Sequence, residues 1–232
     1  MRPYRAQLAR WHFVPRIGFY SPNLDFAMLD DLFAFLRDED FQDPASGQLN
    51  FPAYLYAYSP EKEYAFREAL PTLCERLERP PIHQVPFVLN VFDHLVERLR
   101  STTYSDKSYL DIVLEQEAEA PERTKRLFNE VLSAGSGFYE SIHRSIRSHQ
   151  DEAESKELRT YAFVHGWGTV HPYLRASQFM GCMEKYVQKY KLILFYPGEY
   201  SEGRLQFLGR VGDRGPYRAQ SLNDQVGSGL SA

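Results

Sequence analysis

Between residues 23 and 37 the apolar positions Leu24, Met28, Leu32 and Phe35, with Leu29, Phe33 and Leu36 beside them, recur at helical spacing and make one broad face. Residues 41–50 break that pattern with Asp43, Pro44, Ser46 and Gly47, a turn-rich loop. The period then changes. Residues 51–58 are a short apolar run with tyrosine on alternate positions (Tyr54, Tyr56, Tyr58), which predicts a strand. Ser59-Pro60-Glu61 opens a helix with a Ser N-cap, Pro in the first turn and a carboxylate at the positive end of the helix dipole. That helix is expected to reach about Arg79, with a kink near Pro71, and to close at Pro80-Pro81. Residues 85–90 read as a second apolar strand and 91–100 as a helix. Strand–helix–strand–helix alternation predicts a parallel sheet covered by helices.

From residue 101 to 158 the pattern is polar and helical throughout, with helices over 110–120, 122–132 and 138–149 separated by Pro121 and by Ala134-Gly135-Ser136-Gly137. It reads as a solvated helical insertion, and the run Glu115, Glu117, Glu119 as a solvated face. A strand returns at 160–165, Gly166-Trp167-Gly168 makes a tight turn, and His171-Pro172 opens an amphipathic helix to about Tyr190. The run Leu-Ile-Leu-Phe within 191–196 predicts a strand buried on both faces. Pro197-Gly198-Glu199-Tyr200 is expected to turn the chain, and residues 204–211 to pair with 217–222 across 212–216. The organisation expected is an N-terminal arm (1–22), a single α/β domain (23–222) containing the insertion 101–158, and a disordered tail (223–232). The sheet should be mainly parallel, flanked by helices, with a C-terminal antiparallel strand pair.

Composition bounds the class. The 232 residues are 43% hydrophobic and 25% charged, ordinary for a globular chain and against wholesale disorder. A net charge of −4 argues against a general nucleic-acid coat, which needs a large cation excess. The 27 cations are mostly Arg, which favours bidentate and stacked contacts. Cys74 and Cys182 are too few for a disulfide framework or a four-thiolate zinc site and read as small hydrophobes. With no apolar leader and no spanning run, the expected compartment is the cytoplasm.

Motifs that carry chemistry are sparse in this chain. A phosphate loop needs a Gly-Lys pair, and none occurs. The turn Gly166-Trp167-Gly168-Thr169 has two glycines of a dinucleotide fingerprint in a strand-to-helix context, but His171 stands where the third belongs. Gly166, Gly168 and Thr169 are therefore weak candidates for nucleotide or anion binding, and the alternative is that the glycines serve the turn. His165, His171 and Glu199 could meet at one sheet edge, yet their spacing matches no zinc signature, so packing and capping are the expected roles. His143 and His149 fall in a charged helix and read as solvated. Ser177 lies in a predicted helix without a nucleophile elbow, and Glu154-Ser155-Lys156 is a weak nuclease-like fragment within the polar helices. No catalytic residue, cofactor or metal is assigned.

Three segments in order carry a family resemblance. They are residues 51–61 (Phe-Pro-Ala-Tyr-Leu-Tyr-Ala-Tyr-Ser-Pro-Glu), residues 164–176 (Val-His-Gly-Trp-Gly-Thr-Val-His-Pro-Tyr-Leu-Arg-Ala), and the block Leu194-Phe195-Tyr196-Pro197-Gly198-Glu199-Tyr200, Leu205-Gln206-Phe207-Leu208-Gly209, Tyr217-Arg218-Ala219. Together they resemble the BrxB family of BREX phage-defence systems. The chain departs from the family pattern at Trp167 between the glycines, at His171 before Pro172, and at Pro216, where the family has the first of two tyrosines.

The resemblance implies an α/β protein similar to a nucleotide-binding fold without its phosphate loop. It also implies a non-catalytic assembly component of a defence complex, encoded beside a methyltransferase, a large ATPase and PglZ, an alkaline-phosphatase-superfamily protein that is the expected direct partner. An aromatic content of 15% and the Arg excess suit an interface. Arg175, Pro197, Gly198, Glu199, Tyr217 and Arg218 are expected to gather near the strand ends, with Tyr–Arg and Glu–Arg contacts holding the Pro-Gly turn. Two alternatives stay open: a nucleotide- or anion-binding regulator at the Gly166–Gly168 turn, and a DNA-binding accessory subunit with a local Arg patch.

Overall fold

The computed structural model describes residues 22–43, 53–187, 190–201, 204–207, 211–212 and 219–228. The expected arm up to residue 21, residues 213–218 and the last four residues lie outside them. Strands β1 (Ala53–Tyr58), β2 (Phe87–Asn90), β5 (Tyr161–His165), β6 (Lys191–Ser201) and the short β9 (Gln220–Ser221) form one parallel sheet in the order β2-β5-β6-β1-β9. The register is continuous across the centre, with Leu55 beside Leu194 and Leu194 beside Val164. The expected α/β class with a mainly parallel sheet is what the chain adopts.

Connection directions decide which face each helix covers. From β1 the chain crosses β6 and β5 to reach β2 through α3 (Glu63–Glu78); from β2 it steps back through β5 to β6. Crossovers of one hand running in opposite directions fall on opposite faces. One face is therefore closed by α1 (Pro22–Leu36) and α3 over Tyr54, Tyr56, Tyr58, Phe163, Ile193 and Phe195. The other is closed by α4 (Val91–Ser101), α5 (Tyr109–Gln116), α6 (Pro121–Val131), α7 (Phe138–Glu154) and α9 (Ala176–Met183), over Leu55, Leu89, Val164, Leu192 and Leu194. The alternating tyrosines of β1 all face the α1/α3 side, as period-2 patterning requires.

The segment 101–158 differs from a solvated insertion. It contains a small hairpin, β3 (Thr103–Tyr104) with β4 (Lys107–Ser108), and its helices supply Val131, Leu132, Phe138, Tyr139, Ile142 and Ile146 to the main core. The charged residues of α7 hide a stripe at positions 138, 139, 142, 146 and 153, which is a buried helical face. His149 likewise is not simply solvated, since its Nε2 lies 3.0 Å from the Val85 carbonyl.

Other boundaries moved for identifiable reasons. Ser59 precedes a 3-10 turn, Pro60–Lys62, and makes no side-chain cap. The helix after His171 starts only at Ala176, because Trp167–Val170 forms its own short helix, α8, and His171 before Pro172 is extended. Residues 197–200 do not turn but continue β6, which pairs antiparallel with β7 (Arg204–Phe207); β7 in turn pairs with β8 (Val211–Gly212). Pro197 sits where the parallel register with Tyr58 ends and the antiparallel one begins. A residue without an N–H is tolerated at such a ladder end.

β7 therefore pairs with β6 and β8, and Gln220–Ser221, expected in its partner strand, join β1 instead. Residues 223–228, expected as tail, form with Leu222 the helix α10 (Leu222–Ser228). Leu222 is buried against the α1/α3 core, and the Asn223 side chain exchanges two 2.8 Å hydrogen bonds with the Ala57 backbone.

Gly198 is required by proximity, since a Cβ there would overlap the Gln206 carbonyl of β7. Gly198→Ala is expected to loosen the β6–β7 pairing, read as faster amide exchange in β7 than in β1; equal protection in both proteins would refute this.

Lys191 is buried at the start of β6, with Nζ 4.1 Å from the Phe41 ring centroid. Burial lowers its pKa to about 8, against the opposite pull of Asp43 and Asp38. Between about pH 8 and its ordinary 10.5 the unfolded chain holds more protons than the folded one, so this group makes stability rise with pH over that window. Urea unfolding should show the rise in the wild type and its loss in Lys191→Met.

Candidate functional site

Every parallel strand ends at the same edge of the sheet. There α3 leaves β1 toward one face, while α4 and α8 leave β2 and β5 toward the other. A crevice between oppositely departing connections is where open α/β sheets place ligands and partners. The groups it gathers are Tyr58 at the end of β1, Glu63, Phe66 and Arg67 on the first turns of α3, Asn90 and Asp93 around the start of α4, and His165 with Gly166 at the end of β5.

A chain of polar contacts orders the α3 side. The Tyr58 hydroxyl donates to the Glu63 carboxylate, and Arg67 Nε donates to Glu63 Oε1 at 2.7 Å. The Tyr58 ring stacks on Phe66 with centroids 4.6 Å apart. Burial, reinforced by the Glu63 charge, pushes the Tyr58 phenol well above its usual range, so it stays a hydrogen-bond donor. His165 lies beneath Phe66, 9% exposed, with ring centroids 6.4 Å apart. Its pKa falls to about 4, through burial first and the Arg67 charge second, so its imidazole is neutral at pH 7. His165 Nδ1 has no hydrogen-bond partner. Burial raises the Asp93 carboxyl, and Arg67 opposes that shift.

The Gly166–Thr169 turn is closed on itself. Gly166 has φ 90°, in the left-handed region, and a Cβ there would meet Asn90 Oδ1. That oxygen is already engaged, accepting from Phe92 N at 3.0 Å as the cap of α4. Thr169 donates its hydroxyl to the Gly166 carbonyl at 2.7 Å. Gly168 is exposed with open space around it. Gly166→Ala should cost about 2 kcal/mol, combining left-handed strain with a disturbed cap. Gly168→Ala should stay within about 0.5 kcal/mol. Equal urea midpoints for the two variants would contradict this assignment.

Arg175 is half-buried at the N-cap position of α9, Pro197 and Gly198 are buried in β6, and Glu199 is exposed opposite Gln206. Tyr217 and Arg218 lie outside the described residues. His171 stacks on Phe207 at 4.4 Å, whereas His165 packs under Phe66 across the sheet. Among the described residues no three His, Cys, Asp or Glu come together as a metal site. Sequence reasoning passed over the Tyr58–Glu63–Arg67 chain. The signal available was a tyrosine ending a strand five residues before a glutamate that itself has an arginine at i+4.

The comparisons bear on the chain as a whole. The family model described as "BREX protein BrxB" matches residues 87–222, more than half of the 232. It includes the second and third resembling blocks and leaves residues 51–61 outside. A protein of Bacillus cereus (strain H3081.97) named "BREX protein BrxB" is 24% identical over 198 residues, covering 85% of this chain and 96% of its own length. No solved structure matches. No helix among the described residues is long and apolar enough to cross a membrane.

Proposed function

Because this chain belongs to the BrxB family, and so is a component of a BREX phage-defence system, we propose that it works as a non-catalytic assembly subunit that docks the PglZ protein in the cytoplasm. One observation carries this reading. At the sheet edge where an α/β enzyme would gather reactive groups, four contacts are structural: Tyr58 and the Arg67 Nε hold Glu63, Asn90 caps Phe92 N, and Thr169 closes onto Gly166. The same edge leaves the aromatic side chains of Tyr64 and Phe92 exposed. Exposed aromatics are what interface hot spots are made of.

Co-expression of tagged chain with its genomic neighbours, followed by size-exclusion chromatography, tests the proposal. A stoichiometric complex with the alkaline-phosphatase-superfamily protein is expected. A chain that elutes alone, with all neighbours expressed, would refute it.

A further inference from the structure

Four large hydrophobic side chains stand exposed among the described residues, and two of them flank the crevice: Tyr64, 78% exposed on the first turn of α3, and Phe92, 40% exposed on the first turn of α4. Tyr64 is one turn before Arg67, and Phe92 adjoins Asp93. Arg67 is oriented by Glu63 through Nε alone. Among the described residues its terminal nitrogens make no hydrogen bond or ion pair, and neither does the Asp93 carboxylate, although the two charges act on each other. Beneath them His165 offers a buried, unpartnered Nδ1.

The crevice therefore presents uncommitted donors and an uncommitted acceptor between two exposed rings, over the neutral His165 ring buried beneath Phe66. An incoming carboxylate would share one guanidinium with Glu63 beside Asp93, and an incoming cation would face Arg67. An amide meets neither repulsion: its carbonyl accepts from Arg67 while its N–H donates to Asp93. The strands that end under the two rings, β1 and β2, are three sheet spacings apart, roughly 15 Å, which four to five extended residues span.

We infer that this crevice is the docking surface for an extended, uncharged segment of a protein partner, whose amide groups bridge Arg67 and Asp93 and whose apolar side chains pack on Tyr64 and Phe92. The inference rests on the docking reading above and names its surface.

The test uses the complex from that co-expression. The double variant Tyr64→Ala/Phe92→Ala should weaken partner affinity on the order of 30-fold or more, as loss of hot-spot rings does. Arg67→Gln and Asp93→Asn should each weaken it on the order of tenfold. Tyr104→Ala/Leu114→Ala, which removes the two exposed hydrophobics on β3 and α5, should leave it unchanged. Unaltered circular dichroism and melting temperature of the free variants exclude misfolding as the cause. Raising salt from 0.1 to 0.5 M should change wild-type affinity less than about threefold, because an amide carries no net charge. A wild-type chain that captures no partner defeats the docking reading and this surface with it. A complex that survives the Tyr64/Phe92 replacement defeats this surface alone, and a steep salt dependence replaces the amide occupant by a charged one.

Discussion

Replacing Phe195 by alanine should destabilise the protein by roughly 3–5 kcal/mol, the range for emptying an aromatic site in a packed core. Phe195 is fully buried on the α1/α3 face of β6, the central strand of the five in the parallel order. Its ring meets Phe66 at 4.9 Å, Phe163 at 5.1 Å and Tyr56 at 6.1 Å between centroids, so it joins α3 to three strands at once. These neighbours are themselves rings, two on neighbouring strands and Phe66 on α3, which limits how far the cavity can collapse. For a chain of this length the loss corresponds to a melting-temperature drop of about 6–20 °C. Urea unfolding of Phe195→Ala beside Tyr64→Ala, an exposed control on α3, measures it. A cost under about 1.5 kcal/mol would mean that the two layers are not coupled through this ring.

Acidification should weaken the fold through His165. Its folded-state pKa is about 4 against an ordinary 6.5, because burial, and then Arg67, disfavour the charged ring. Between those values the unfolded chain binds the proton and the folded chain does not, so stability rises with pH from about 4 to 6.5 and is level above. The separation corresponds to about 3 kcal/mol, an order-of-magnitude figure, for this one group. Burial also lowers His94, which adds to the same limb. Protonation of carboxylates contributes to acid unfolding too, so the informative quantity is the difference between wild type and His165→Gln across pH 4–7. That difference should shrink steadily as the pH falls. A pH-independent difference would place His165 in contact with water.

How much of this was legible in the sequence follows from the range of each determinant. The strand at 53–58, the helices 22–36 and 91–101, and the buried strand beginning at Lys191 were readable because periodicity and turn chemistry act between near neighbours in the chain. The parallel α/β class followed from element order, and the ordered blocks around Gly166 and Pro197 carried the family. What failed was non-local. The Pro-Gly at 197–198 carries a turn signal, but β7 pairs across it and keeps the strand extended. Leu222–Ser228 holds as helix where Leu222 finds the α1/α3 core and Asn223 finds Ala57, 166 positions earlier. The charge on α7 concealed a stripe whose burial depends on the sheet behind it.

The candidate site divides in the same way. The sequence by itself determined that strand ends would be followed by helix starts, and that Gly166 marks a turn. Only tertiary structure decided that Tyr58, Glu63, Arg67, Asp93 and His165 share one edge, because the strands that carry them are parallel and their helices leave in opposite directions. Sequence patterns set which face a side chain takes along its own element; which elements stand side by side is set by connection handedness and core burial, which act over the whole chain.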